Sequence, residues 1–143
     1  MSASTRSNFS PNTHNNLGNA LKEQGDLTAA IASYNKALEL KPNYPDAHYN
    51  LGNIFREQGN LHAAISSYNK ALELKPNHPE THNNLGNALK EQGHMEAAIT
   101  SYDNALKLAP DLAGARWNTS ICLLQIGDYK NGLAGHEIRR EIW

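Results

Sequence analysis

In the segment 11–24, apolar and polar residues alternate with the period of an α-helix, so that they would fall on opposite sides of it. At about 100° per residue, one side of a helix over this segment would carry the small and apolar residues. That side consists of His14, Leu17, Gly18, Leu21 and Gln24. The opposite side consists of Asn12, Asn15, Asn16, Asn19, Lys22 and Glu23. The pattern therefore predicts an amphipathic helix with one packed stripe and one fully polar face.

The same pattern returns every 34 residues. The tetrapeptide Asn-Leu-Gly-Asn occupies residues 16–19, 50–53 and 84–87, and a fixed period of this length marks a repeat array. The complete units are residues 11–44, 45–78 and 79–112, and a divergent fourth unit covers 113–143. We number positions 1 to 34 within each unit. The residues 1–10 that precede the array are rich in Ser and Thr, and we predict that they form a disordered tail.

Each unit is predicted to hold two helices, A and B, joined by a tight turn. A glycine falls midway and can take a positive φ that ends helix A. These glycines are Gly25, Gly59, Gly93 and, in the fourth unit, Gly127. The residue after each glycine can cap the N-terminus of helix B. Asp26, Asn60 and Asp128 are good N-cap residues, whereas His94 is a weak one. A proline then stops helix B, at Pro42, Pro76 or Pro110.

The motif His14-x2-Leu17-Gly18-x2-Leu21, followed by Ala30-x3-Tyr34, Ala37 and Pro42, resembles the tetratricopeptide repeat. The second unit has His48, Leu51, Gly52, Phe55, Ala64, Tyr68, Ala71 and Pro76, and the third has His82, Leu85, Gly86, Leu89, Ala98, Tyr102, Ala105 and Pro110. The resemblance covers residues 11–127, although histidine replaces the usual aromatic residue at position 4. It implies an all-α, right-handed solenoid of antiparallel helix pairs, with three full repeats plus a divergent fourth. Leu17, Ala30, Tyr34, Ala37 and their counterparts would carry the packing.

The fourth unit departs from this pattern. Ser120 stands in place of the glycine of helix A, and Arg139 stands in place of the second alanine of helix B. The segment from Gly127 through Arg139 resembles the closing repeat of bacterial arrays that precede glycosyltransferase or other catalytic modules. We therefore treat residues 11–143 as one repeat domain that ends in a partial, capping repeat.

In this family the A helices line the concave side of the solenoid, so their polar faces would form a groove. The rows along it are Asn16, Asn50, Asn84 and Asn118 at position 6; Asn19, Asn53 and Asn87 at position 9; and Lys22, Arg56 and Lys90 at position 12. We call the position 6 row the asparagine ladder. Aromatic anchors at position 5 are Tyr49 and Trp117, since aromatic residues dominate binding hot spots.

An asparagine amide both donates and accepts, as a peptide unit does. Helices packed about 8–10 Å apart would place one amide at about every third residue of an extended chain, which advances about 3.3 Å per residue. The ladder is similar to that of the repeat domain of O-linked N-acetylglucosamine transferases, where it holds substrate and adaptor polypeptides. We predict a non-catalytic scaffold that binds an extended polypeptide. The alternatives are the substrate-recognition part of a larger enzyme, a self-assembling scaffold, or rows that are only a solvated surface.

Composition excludes several other classes. The 143 residues carry a net charge of −1 with both signs interspersed, so neither nucleic acid nor a membrane surface is an expected partner. No apolar run is long enough to span a bilayer. Cys122 is the only cysteine, which fits a reducing, cytoplasmic location and a buried thiol. The row His14, His48 and His82 is spaced too widely for one metal ion, so no metal, cofactor or catalytic residue is predicted. Leu133, Ile138, Ile142 and Trp143 could pack against a second copy.

Overall fold

A computed structural model describes residues 9–130 of the chain, with the side chains of residues 9–127. Over this range the regular structure is entirely α-helical. The helices are α1 (Pro11–Glu23), α2 (Leu27–Leu40), α3 (Pro45–Glu57), α4 (Leu61–Leu74), α5 (Pro79–Glu91), α6 (Met95–Leu108) and α7 (Ala113–Lys130). They fall into two compact units, α1–α4 in the part of the chain up to Asn77 and α5–α7 in the part from His78. The predicted all-α class of consecutive helix pairs is confirmed.

Prolines and glycines set the bounds of the A helices α1, α3 and α5. Each of these helices begins at a proline, which supplies a helical φ at the first position, where its missing N–H is not needed. Each ends before a glycine with positive φ, as predicted. These glycines are Gly25 (86°), Gly59 (79°) and Gly93 (89°).

The B helices begin and end as their caps predict. The Asp26 carboxylate accepts a hydrogen bond from the backbone N–H of Ala29 at 3.1 Å, and Asn60 accepts one from Ala63 at 3.3 Å. His94 makes no side-chain capping bond, in agreement with its predicted weakness. The B helices end two residues before a proline because the residue that precedes proline avoids helical backbone.

A glycine–tyrosine contact joins the two helices of each pair. A Cβ atom added to Gly18 would lie 2.5 Å from Cε1 of Tyr34, and the equivalent atoms at Gly52 and Gly86 would lie 2.6 Å from their tyrosine rings. The three tyrosines, Tyr34, Tyr68 and Tyr102, are fully buried. Only glycine leaves room for the ring, which explains why Leu-Gly recurs in every complete unit.

Leu17 does not pack as predicted. Its side chain is 48% exposed, whereas Leu51, at the same position of the next unit, is 4% exposed. Leu51 lies in a cluster with Ala30 and Tyr34 of the preceding helix pair. The position therefore packs against the pair before it, and no described helix precedes α1.

The turn predicted at Gly127 is wrong. Helix α7 continues through Gly127 and Asp128 to Lys130, and a glycine within a helix costs only about 1 kcal/mol relative to alanine. In the other units helix B is held by a tyrosine ring lying on a helix A glycine. In the fourth unit Ser120 replaces the glycine against which that ring packs. The Gly127-Asp128 turn sequence therefore lacks the tertiary contact that supports the turn in the other units. The expected second helix of this unit, with Arg139 and the apolar residues 133–143, lies outside the described residues.

The first helix is capped by a residue from the segment predicted to be a tail. The Ser10 hydroxyl accepts a hydrogen bond from the backbone N–H of Thr13 at 3.1 Å, and the Phe9 ring lies 5.9 Å from the His14 ring. Residues 9 and 10 therefore contact α1. Residues 1–8 lie outside the described part of the chain, so their disorder stays a prediction.

Candidate functional site

The position 9 asparagines accept hydrogen bonds from the buried tyrosines. The Tyr34 hydroxyl donates to Oδ1 of Asn19 at 2.5 Å, Tyr68 donates to Asn53 at 2.6 Å, and Tyr102 donates to Asn87 at 2.7 Å. Burial raises the pKa of Tyr34 to about 12, so its hydroxyl keeps its proton near neutral pH. The last two residues of the repeated tetrapeptide thus both hold the tyrosine of helix B. The glycine leaves space for the ring, and the asparagine accepts a hydrogen bond from the hydroxyl.

This role of the position 9 asparagines is not among the predictions made from the sequence, although the sequence contains a signal for it. An Asn–Tyr spacing of 15 residues recurs in all three complete units. A second tyrosine bond was also missed, in which the Tyr44 hydroxyl donates to Oδ1 of Asn12. Both bonds engage polar-face asparagines through their oxygen. The polar face is therefore partly organised by side chains that belong to the core.

Ladder asparagines bond to amides of the preceding A helix within each compact unit. In the first unit, Nδ2 of Asn50 donates to Oδ1 of Asn15 at 3.0 Å. In the second, Nδ2 of Asn118 donates to Oδ1 of Asn87 at 2.9 Å. Asn16, on α1, is exposed. Because an amide offers two donor hydrogens and two acceptor lone pairs, a single such bond leaves Asn50 most of its capacity for a ligand.

Position 5 is partly covered by neighbouring side chains in the first compact unit. Asn15 is 5% exposed and bonds to α3 through Asn50. Tyr49 is half-buried, and its ring centroid lies 6.2 Å from that of Tyr68. The predicted anchor Tyr49 is therefore partly engaged by the core.

Trp117 differs from its counterparts because no described helix follows α7. Its side chain is 69% exposed. With Ala113, Arg116 and Ser120 it lines an open depression of about 400 Å³. Leu123 and Leu124, further along α7, are also more than half exposed. Trp117 is thus the more accessible of the two predicted anchors.

The basic row lies in the last turn of each complete helix A. Lys22, Arg56 and Lys90 are all half-buried, and a cation at this end of a helix interacts favourably with the helix dipole. Nζ of Lys90 also donates to Oδ1 of Asn118 at 3.3 Å. The neighbouring Glu23, Glu57 and Glu91 are exposed. Part of this row's role is therefore structural.

Two histidines of the position 4 row contact neighbouring residues in the first compact unit. His14 is buried against Phe9, and Nε2 of His48 lies 3.1 Å from the carbonyl oxygen of Pro42 in the preceding linker. Among the described residues no group of three His, Cys, Asp or Glu side chains has the geometry of a metal site. Cys122 is fully buried beside Ala98, Tyr102 and Ala115, and that burial raises the pKa of its thiol. The prediction of a buried cysteine is confirmed.

The described helices include none with the length and hydropathy needed to cross a bilayer.

Comparisons with known proteins agree with this geometry. Residues 18–55 and 52–93 match the family model described as TPR repeat, and residues 79–112 match the one described as Tetratricopeptide repeat. No curated protein sequence matches the chain.

The solved structures that are similar to the chain include the following two. A mutant O-GlcNAc transferase of Thermobaculum terrenum superimposes with a TM-score of 0.74 at 29% identity, over 79% of this chain and 22% of that one. The chain thus spans less than a quarter of the transferase's length. The first TPR of Spaghetti (RPAP3), bound to the HSP90 peptide SRMEEVD, superimposes with a TM-score of 0.80 at 21% identity, over 82% of this chain and 93% of that one.

Proposed function

Because the chain belongs to the tetratricopeptide-repeat family, we propose that it is a non-catalytic protein-interaction module that holds an extended polypeptide against the polar faces of its A helices. The asparagine ladder carries this proposal. One amide recurs at the same position of α1, α3, α5 and α7, exposed at Asn16 and with spare hydrogen-bonding capacity at Asn50. Within each compact unit the amide recurs on two A helices, which suits a ligand whose own amides repeat along an extended chain.

Hydrogen-bond capacity sets the expected affinity. At about 1 kcal/mol net per bond, four to eight bonds would contribute about 4–8 kcal/mol. Association costs at least about 4 kcal/mol in lost freedom, so the ladder alone would bind weakly. An anchor is needed, and the exposure of Trp117 favours it over Tyr49, whose ring already packs on Tyr68. We propose that a ligand residue contacts Trp117 while the ligand backbone contacts the ladder.

The two similar structures bear on the partner to different degrees. The O-GlcNAc transferase likeness indicates that helix pairs of this kind can form part of a larger enzyme. The Spaghetti structure holds a peptide, but at 21% identity the likeness extends to the fold alone. A carboxylate clamp for acidic chaperone tails would need basic residues where this chain has Asn15, Glu80 and Asn84, and Asn15 is buried. We therefore propose a partner recognised by its extended backbone.

Peptide selection tests this proposal directly. A phage library of random dodecapeptides would be selected on the native chain, and its binders tested against a variant with Asn→Ala at residues 16, 50, 84 and 118. The matched control is Asn35→Ala with Asn69→Ala, since these two asparagines are exposed on the B helices α2 and α4. Circular dichroism would check that every variant stays folded. We expect the ladder variant to lose the peptides that the control retains; equal binding by both variants would refute the proposal.

The transferase likeness also favours a second candidate, in which the chain is the substrate-recognition part of a larger enzyme. Sequencing the gene past the Trp143 codon separates the two candidates. A reading frame that continues into a catalytic domain would support the enzyme candidate, and a stop codon would remove it.

The exposed apolar residues of α7 favour self-assembly as a third candidate. Light scattering at high protein concentration tests it, because a mass equal to the monomer would exclude association through this helix.

A further inference from the structure

Lys90, Asn118, Asn87 and Tyr102 form a connected series of hydrogen bonds within the second compact unit. Nζ of Lys90 donates to Oδ1 of Asn118 at 3.3 Å, and Nδ2 of Asn118 donates to Oδ1 of Asn87 at 2.9 Å. The Tyr102 hydroxyl donates to the same Asn87 oxygen at 2.7 Å. The series therefore joins α5, α6 and α7 through side chains of the polar face.

The direction of every bond in this series follows from the lysine. An ammonium group carries donors and no acceptor, so Asn118 must turn its oxygen toward Lys90 and its amide N–H toward Asn87. A flipped Asn87 amide would then place two N–H groups against each other and would also give up the bond from Tyr102. Both lone pairs of the Asn87 oxygen are occupied in this arrangement. What Asn87 has left for a ligand is its two N–H donors.

We propose that Lys90 is a positioning residue which, through Asn118, fixes the Asn87 amide so that it offers only N–H donors and selects a carbonyl oxygen of the bound polypeptide. The choice of ligand group rests on the function proposed above, whereas the orientation of the amides does not. Lys90 then acts by ordering the surface, in contrast to the binding of acidic side chains that its charge alone suggests. The Asn87 side chain then presents only donors to a ligand, whereas an unrestrained asparagine amide could equally present its oxygen.

The equivalent residues on α1 and α3 lack this arrangement and supply a control. Lys22, Asn50 and Asn19 occupy the equivalent positions, but Nδ2 of Asn50 donates to Asn15. Lys22 makes no hydrogen bond to Asn50 in this unit, and Asn19 receives its bond from Tyr34. A change at Lys22 therefore removes the same charge from the same repeat position without touching a comparable series of bonds.

Nuclear magnetic resonance of the labelled full chain tests the orientation without a ligand. The measured quantity is the scalar coupling across the hydrogen bond from Nδ2 of Asn118 to Cγ of Asn87. Four chains would be compared: native, Lys90→Met, which keeps the side-chain length but removes the donor, Lys90→Arg, which keeps a donor-only cation, and Lys22→Met. We expect the coupling to persist in all but Lys90→Met. Its absence from the native chain, or its persistence in Lys90→Met, would overturn the proposal.

A peptide selected on the native chain then tests the carbonyl preference. Loss of one oriented hydrogen bond corresponds to binding about fivefold weaker, which we expect for Lys90→Met but not for Lys90→Arg. Single thioamides placed along the peptide weaken one carbonyl acceptor at a time. One placement should weaken binding to the native chain and have no effect on Lys90→Met, and equal sensitivity of both chains would contradict the selection of a carbonyl. If no peptide is selected at all, the proposed function fails, while the coupling still decides the orientation.

Discussion

Replacing Gly86 with alanine should destabilise the protein, although the same change at a helical glycine usually stabilises. A Cβ atom at Gly86 would lie 2.6, 2.7 and 2.9 Å from three ring atoms of Tyr102. That ring cannot move aside, since it is fully buried and its hydroxyl is bonded to Asn87 at 2.7 Å. The substitution therefore forces a shift in a packed core.

The magnitude follows from two opposing effects. Overpacking a core costs about 1–3 kcal/mol, and three contacts below 3.0 Å place this site in the upper half of that range. Alanine recovers about 1 kcal/mol of helix propensity relative to glycine. We expect a net loss of about 1–2 kcal/mol in the free energy of unfolding.

Gly127 provides the matched control in the same compact unit. It lies inside α7, and a Cβ atom there would meet nothing within 4 Å. Gly127→Ala should therefore raise the free energy of unfolding by as much as about 1 kcal/mol. Urea unfolding followed by far-ultraviolet circular dichroism measures both variants, with the slope of the transition checked for constancy. A Gly86→Ala chain as stable as the native one would refute the glycine–tyrosine packing argument.

Two further predictions concern packing and protonation. Leu51→Ala should cost about 2–4 kcal/mol of unfolding free energy and Leu17→Ala less than about 1 kcal/mol, because the first side chain is buried and the second half exposed; equal losses in urea unfolding would contradict this. Because burial raises the folded-state pKa of Tyr34 to about 12, above the 10 of an exposed tyrosine, the unfolded chain loses this proton first and stability should fall as pH rises from about 10 to 12. Tyr34→Phe should make that fall shallower in unfolding experiments across the same range, and an unchanged slope would count against the shift.

Local signals predicted the complete units well. Pro42, Pro76 and Pro110 restrict the backbone, and Gly25 and its counterparts permit the positive φ of the turn, so the end of each helix follows without knowledge of the fold. The repeat itself then identifies the packed stripe, because equivalent residues in successive units meet equivalent neighbours.

The predictions that failed lie where that equivalence ends. Leu17 occupies a repeat position that is packed in the next unit, but no described helix precedes α1. Gly127 occupies the position of a turn, but Ser120 replaces the glycine against which helix B packs in the other units. In both cases the residue matches its counterparts, and what differs among the described residues is the neighbour that those counterparts contact. A pattern within one unit contains no information about that neighbour.

Polar partners were the other part that the sequence pattern did not supply. The sequence predicts ligand binding at position 9, whereas the side-chain oxygen at this position accepts a hydrogen bond from a tyrosine of helix B. Position 5 was assigned to the groove, but Asn15 is buried against the next A helix through Asn50. A helical wheel gives the direction of a side chain and not its partner, which depends on the packing of adjacent helices.

The most direct test of the account is to observe the asparagine side chains while a selected peptide binds. The side-chain amide resonances of Asn16, Asn50, Asn84 and Asn118 would be followed by nuclear magnetic resonance during a titration. If the ladder binds the peptide backbone, these resonances shift in proportion to occupancy, while those of Asn35 and Asn69 on the B helices stay in place. Saturable binding that shifts the B-helix amides and leaves the ladder unchanged would contradict it.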